Sequence, residues 1–182
     1  AGHSRFSLSS LPPNDFPAID DIDLVERIRV PEAQLKELIE RTAFAMAQQD
    51  VRYYLNGLLL DLRENALRCV ATDGHRLAMC EAALPNGAQA RKQIIVPRKG
   101  VLELQRFLEG GDREVELEVG RRHLRLRRKD VVLTSKLIDG RFPDYDAVIP
   151  IGADKEVTVD REALRALRSR AARARNAARC RR

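Results

Sequence analysis

No apolar run in this 182-residue chain approaches the roughly 18 residues that a bilayer span needs. The opening residues Ala1-Gly2-His3-Ser4-Arg5 also lack the basic region and apolar core of a secretory leader, so membrane and secreted readings fall away. Cysteines are few and odd in number: Cys69, Cys80 and Cys180. Without a CxxC or a Cys/His cluster there are not four ligands for a structural zinc, and the thiols read as reduced and cytosolic. Tryptophan is absent and tyrosine occurs three times. What remains is 44% apolar and 33% charged, the composition of a globular chain about one domain long.

A net charge of +6 suggests a nucleic-acid partner until it is divided along the chain. Residues 161–182 hold nine arginines against Glu162, a net +8, which leaves −2 for residues 1–160. The body is nearly neutral, so a DNA reading must rest on particular residues rather than on bulk charge.

One pattern recurs about every 65 residues: a short strand ending in Val, a helix start, then apolar residues at helical spacing. It appears at Arg27-Ile28-Arg29-Val30-Pro31 with Leu35 and Leu38, at Ile94-Ile95-Val96-Pro97 with Val101 and Leu104, and at Val157-Thr158-Val159-Asp160 with Leu164 and Leu167. Proline suits a first helical position and Asp160 an N-cap. Strand periodicity follows at Val51–Leu62, Leu67–Thr72, Leu77–Ala82, Val115–Val119, His123–Arg127 and Val131–Leu137, broken by turn signals at Glu64-Asn65, Asp73-Gly74, Gly110-Gly111 and Asp139-Gly140. The expectation is an α+β fold of two tandem β-α-β-β-β units, with two helices on one face of antiparallel sheet. Residues 1–23 and the interrupted third unit from Val157 read as pieces of neighbouring domains, and the chain as a fragment.

Four stretches carry a resemblance: Gln49-Asp50-Val51-Arg52-Tyr53-Tyr54-Leu55-Asn56-Gly57, Val70-Ala71-Thr72-Asp73-Gly74-His75-Arg76-Leu77-Ala78, Ile95-Val96-Pro97-Arg98-Lys99-Gly100, and Thr134-Ser135-Lys136-Leu137-Ile138-Asp139-Gly140-Arg141-Phe142-Pro143-Asp144-Tyr145. In order and spacing the chain closely resembles the β sliding clamps of bacterial DNA polymerase III. The resemblance implies the DNA-clamp fold and three portions. Residues 1–23, with Ser4-Arg5-Phe6-Ser7-Leu8 and Asp15-Phe16-Pro17, correspond to the end of a first domain and a linker. Residues 24–148 correspond to the whole middle domain, and 149–182 to a connector, the start of a third domain and an aberrant Arg/Ala-rich tail.

The family function so implied is non-catalytic, without cofactor or metal. A head-to-tail homodimer ring encircles duplex DNA and tethers the polymerase III catalytic subunit, other polymerases and the clamp loader in the cytoplasm. This chain alone is not expected to close such a ring.

The resemblance assigns DNA contact to Gln49, Arg52, Tyr53, Tyr54, Arg98 and Lys99. On physical grounds, adjacent tyrosines in a strand point to opposite faces, so one of the pair is expected in the core. Arg98 and Lys99 sit where cations oppose the helix dipole, a misfit that favours an anion site. The resemblance assigns a partner-peptide cleft to Leu55, Thr72, Gly74, His75, Arg76, Leu77, Pro143 and Val148, with an apolar floor and polar rim.

Two rival readings exist. One is a small standalone nucleic-acid-binding protein that uses its arginine tail; the other is an enzyme built on Asp73 and His75, for which no nucleophile is identifiable. The conspicuous run Arg121–Lys129 alternates Leu124 and Leu126 with Arg125 and Arg127, as a half-buried strand with a solvated face does.

Overall fold

Both repeated segments change from strand to helix at a proline. The computed structural model describes residues 6–15, 23–84, 88, 90–150, 152, 154–168 and 170. In it β1 (Leu24–Pro31) runs into α1 (Glu32–Thr42), and β5 (Lys92–Pro97) into α2 (Arg98–Phe107). Pro31 and Pro97 stand at the N-caps, one residue before the first helical position expected for them. Their ψ angles of 129° and 148° are extended, so each ring still belongs to its strand while its fixed φ leads into the helix.

Each helix is followed by a three-stranded meander. β2 (Gly57–Leu62), β3 (Ala66–Thr72) and β4 (Leu77–Ala83) follow α1, and β6 (Glu114–Gly120), β7 (His123–Arg128) and β8 (Val131–Lys136) follow α2. The β-α-β-β-β order is therefore present twice, as expected. The pairing interlocks the two units, because the sheets run β1-β6-β7-β8 and β4-β3-β2-β5, with every pair antiparallel. Each unit lends its first strand to the open edge of the other's meander, where unpaired N–H and C=O groups would otherwise face water. The two sheets adjoin at β5 and β8, where the Ile138 N–H donates to the Ile95 carbonyl at 2.9 Å.

Both helices pack on the inner face of these sheets. α1 lies against β3 and β4, α2 against β2 and β5, and the helices touch each other. Leu35, Leu38, Val101 and Leu104 are all buried there, together with Leu58, Leu60, Cys69, Val96, Leu117 and Leu126. Strand β2 is buried along its whole length, so alternation leaves Leu59 on the outer face, where Val70 and Ile95 are also covered.

The strand expected from Val51 begins only at Gly57. Residues before it form a bend and a 3-10 turn, Tyr53–Leu55, because local side-chain hydrogen bonds hold the backbone more firmly than strand pairing would. Gly57 itself is in tight quarters: a Cβ there would lie 2.6 Å from the Val96 carbonyl oxygen.

Residues Ala1–Pro143 and Asp144–Arg182 are two separate units, and strands β1 to β8 with helices α1 and α2 belong to the first. In the second, Asp146–Val148 forms a 3-10 turn and residues 161–168 are helical. Asp160 caps that helix as expected, its carboxylate accepting the Ala163 N–H at 2.8 Å. Val157–Val159 is not a strand, since among the described residues nothing pairs with it, and Leu164 and Leu167 are 55% and 60% exposed. Ser4, Arg5, Phe16, Pro17 and residues 171–182, with Cys180, lie outside the described residues.

Candidate functional site

The segment between α1 and β2 is knotted by Asp50 and Asn56. Asn56 Oδ1 accepts the Asp50 N–H at 2.9 Å while its Nδ2 donates to the Asp50 carbonyl at 2.8 Å. The Asp50 carboxylate accepts the Arg52 N–H, Nε and Nη2, all within 3.0 Å. These bonds from Arg52 hold the Asp50 carboxyl down at about 2 and push the Arg52 guanidinium up. The Arg98 N–H, opening α2, donates to the Asn56 carbonyl at 2.9 Å. One asparagine thus joins the loop carrying Gln49–Tyr54 to the turn carrying Arg98 and Lys99.

Tyr53 and Tyr54 meet edge to face with centroids 5.9 Å apart. Neither enters the core: Tyr53 is 56% exposed and Tyr54 half-buried, since a 3-10 turn does not alternate its side chains between two faces. Gln49 is exposed in a left-handed conformation with φ 58°. Lys99 is exposed and Arg98 half-buried, and among the described residues neither has an ion-pair partner, so both charges at the start of α2 are uncompensated.

The hairpin between β3 and β4 is held by its own acid. Asp73 Oδ1 accepts the backbone N–H groups of His75 and Arg76 at 3.0 Å each, and Oδ2 accepts Arg76 Nε at 3.1 Å. Backbone donation, first from His75, lowers the Asp73 carboxyl below its usual range. Every oxygen of the carboxylate is thus engaged in shaping the turn, which leaves no free base beside the exposed imidazole. Arg76 also donates to the Phe44 carbonyl at 2.9 Å and lies over the exposed Phe44 ring. Gly74 has φ 86°, and a Cβ there would lie 2.9 Å from Arg52 Nη2, so the Arg52 side chain rests against the hairpin.

Thr72 and Leu77 are cross-strand partners with half-buried side chains on the outer face of their sheet. Leu55, at the end of the 3-10 turn, is 2% exposed and serves as floor rather than surface. Pro143 is exposed directly after the buried Phe142. Val148 lies in the second unit, where it is 67% exposed. Sequence reading missed Asp50, Asn56 and Phe44. Asp50, two residues before an arginine N–H, carried an Asx-turn signal, whereas nothing local marked Phe44.

The basic strand β7 differs from expectation at one residue. Leu124 and Leu126 are buried as expected, but the Arg125 side chain is only 11% exposed, near Glu118 and bonded to Thr134. Glu118 also meets Arg27 and Arg127. This face is a cross-strand ladder in which three arginines share Glu118, rather than a row of fully solvated cations.

The model of the DNA polymerase III beta subunit, central domain, matches residues 29–144. A beta sliding clamp of Pseudomonas putida is 52% identical over 172 residues, 94% of this chain and 47% of that protein. One from Escherichia coli is 48% identical over 172 residues, with the same coverages. Among solved structures, a sliding clamp of Pseudomonas aeruginosa bound to griselimycin gives a TM-score of 0.85 at 52% identity, covering 93% of this chain and 46% of that one. The beta subunit of Thermotoga maritima gives 0.71 at 30% identity, covering 82% and 41%. The chain spans about half the length of the curated relatives it matches. A central-domain match over most of the chain, together with 52% identity across 94% of it, makes this chain a member of the bacterial β sliding clamp family.

Proposed function

We propose that this chain supplies the central part of a DNA polymerase processivity clamp, with residues 24–148 as its middle domain, flanked by 1–23 and 149–182 from the neighbouring domains. Its role is tethering rather than catalysis. In this reading a head-to-tail ring encircles duplex DNA in the cytoplasm, and the polymerase III catalytic subunit, other polymerases and the clamp loader dock on its outer face. Gln49, Arg52, Tyr53, Tyr54, Arg98 and Lys99 meet DNA. The uncompensated cations at the start of α2 suit phosphate, and contacts without base readout allow sliding. Leu55, Thr72, Gly74, His75, Arg76, Leu77 and Pro143 form the first unit's part of a peptide cleft. The observation that carries this half is the hairpin itself, with Thr72 and Leu77 on the face opposite the helices and its acid spent on the turn.

Griselimycin, bound by a related clamp, is the probe for the cleft. Added to the 15N-labelled chain, it should move the amides of residues 72–77. Leu77→Glu should abolish that effect, because an apolar anchor contributes roughly 1.5 to 3 kcal/mol and a carboxylate cannot replace it. Arg125→Ala should leave it intact. A footprint on β7 that spares the hairpin would overturn the assignment. The arginine-tail reading is separated by deleting residues 161–182: if the chain's only DNA affinity goes with them and griselimycin never binds, a standalone basic protein is the better account.

A further inference from the structure

Most arginines of the first unit are held by a carboxylate, among them Arg27, Arg52, Arg63, Arg76, Arg91 and Arg128. Arg121, Arg122 and Lys136 are not. All three are exposed and, among the described residues, have no ion-pair partner. They line a single groove of about 660 Å³ whose apolar lining includes Ile95 and Ile138, with Asp139 as its one acid. The groove is assembled by tertiary contacts: the Leu137 N–H donates to the Arg122 carbonyl at 2.8 Å, which sets the Gly120–Arg122 turn beside β8. Lys92, on β5, lies near both Arg121 and Glu26; burial first, and the charge of Arg121 last, hold its ammonium below the usual lysine range against the pull of the Glu26 carboxylate.

Three features select the occupant. Uncompensated cations around an aliphatic floor complement a segment that carries both carboxylates and an apolar side chain. The groove opens where β5 and β8, each an edge strand of its sheet, meet at a single bridge, and sheet edges offer backbone groups to an extended chain. None of its lining residues is aromatic, and the tyrosines assigned to DNA adjoin it only at Gly140, so within the groove itself a base has no platform on which to stack. Its far end reaches Gly140, where a Cβ would lie 3.3 Å from the Tyr53 ring and 3.5 Å from Tyr54 Cβ. The groove therefore runs up to the turn that ends in Leu55.

We propose that this groove receives an extended acidic peptide segment bearing an aliphatic side chain, the flank of a partner peptide whose other end occupies the hairpin cleft. The second half of that statement rests on the cleft reading above; the groove itself does not. The probe is the capped peptide acetyl-Glu-Glu-Ile-Glu-Glu-amide, titrated into the 15N-labelled full chain with and without griselimycin.

The amides of Ile95, Arg122, Leu137 and Ile138 should move. Three exposed cations at the usual contribution of rim charges should make the triple variant Arg121→Ser, Arg122→Ser, Lys136→Gln bind about tenfold more weakly with an unchanged thermal melt. Arg122→Glu alone should weaken the acidic probe, by less than the triple variant does. Peptide shifts elsewhere, or equal affinity in the triple variant, would overturn the proposal. So would a ten-nucleotide thymidine oligomer that moves the same amides and displaces the peptide, which would make the groove a nucleic-acid site. If griselimycin leaves residues 72–77 unmoved while the acidic peptide fills the groove, the cleft reading fails and the groove stands.

Discussion

Asp50 shows how much of the candidate DNA loop hangs on one carboxylate. Its three bonds from Arg52 are strongest while it is ionised, so the linkage has the acidic sign. Held at about 2 against an ordinary 3.8, the carboxylate supports the loop fully above the ordinary value and loses that effect as pH falls through about 2. In an NMR titration the Arg52 amide should therefore move with a midpoint near 2, and in Asp50→Asn it should not titrate there. Gly57 is the second decisive residue. Gly57→Ala would press a methyl against the Val96 carbonyl that β2 and β5 share, and overpacking of that kind costs about 1–3 kcal/mol, readable as a lower urea midpoint. The residues proposed for DNA and peptide contact were assigned through a resemblance; the residues that hold them were not. Asn56 reads locally as an ordinary turn residue, and only the fold reveals that its carbonyl receives the first N–H of α2.

At the scale of elements, the start of α1 is fixed by a buried acid. Glu32 is fully buried and its Oε1 accepts the Glu109 N–H at 2.6 Å and the Gly110 N–H at 3.3 Å, while Arg113 and Arg128 approach within 3.4 Å. It thereby ties α1 to the turn after α2 and to β7, and a carboxylate there also suits the positive end of the helix. Glu32→Ala would strand two arginines and two backbone donors, a loss of about 3 kcal/mol in chemical denaturation, whereas Glu32→Gln keeps an acceptor and should lose less. The helices and most strands were legible because apolar spacing and turn residues are local. The 3-10 turn before β2 was not, because Val51-Arg52-Tyr53-Tyr54-Leu55 has strand-forming residues, and what overrides them is the pair of side-chain bonds between Asp50 and Asn56.

For the whole molecule, the charge divides where the core ends. Every residue of the main core cluster precedes Leu133, while residues 161–182 carry +8 of the net charge. Deleting residues 161–182 should therefore leave the thermal midpoint within about 2 °C, since among the described residues of that segment Leu164 and Leu167 are exposed. It should also turn a chain of +6 into one of −2, seen as lost retention on a cation exchanger. Retained griselimycin binding after that deletion would fit the clamp reading and exclude the tail as the source of function.

The sequence by itself determined the elements, their doubling and the family, because periodicity, turn residues and motif spacing are properties of neighbours along the chain. It could not say which strand pairs with which. The two β-α-β-β-β units trade first strands, β1 to β6 and β5 to β2, because each meander leaves an edge whose backbone groups need a partner, and that partner lies far away along the chain. The same tertiary pairing decided which basic residues are paired and which stay open. β7 lies against β6, so Arg125 and Arg127 meet Glu118; the Gly120–Arg122 turn lies beside β8, where among the described residues neither Arg121 nor Arg122 has an ion-pair partner. Along the sequence these arginines form one run, and only the fold separates paired charge from charge free to act.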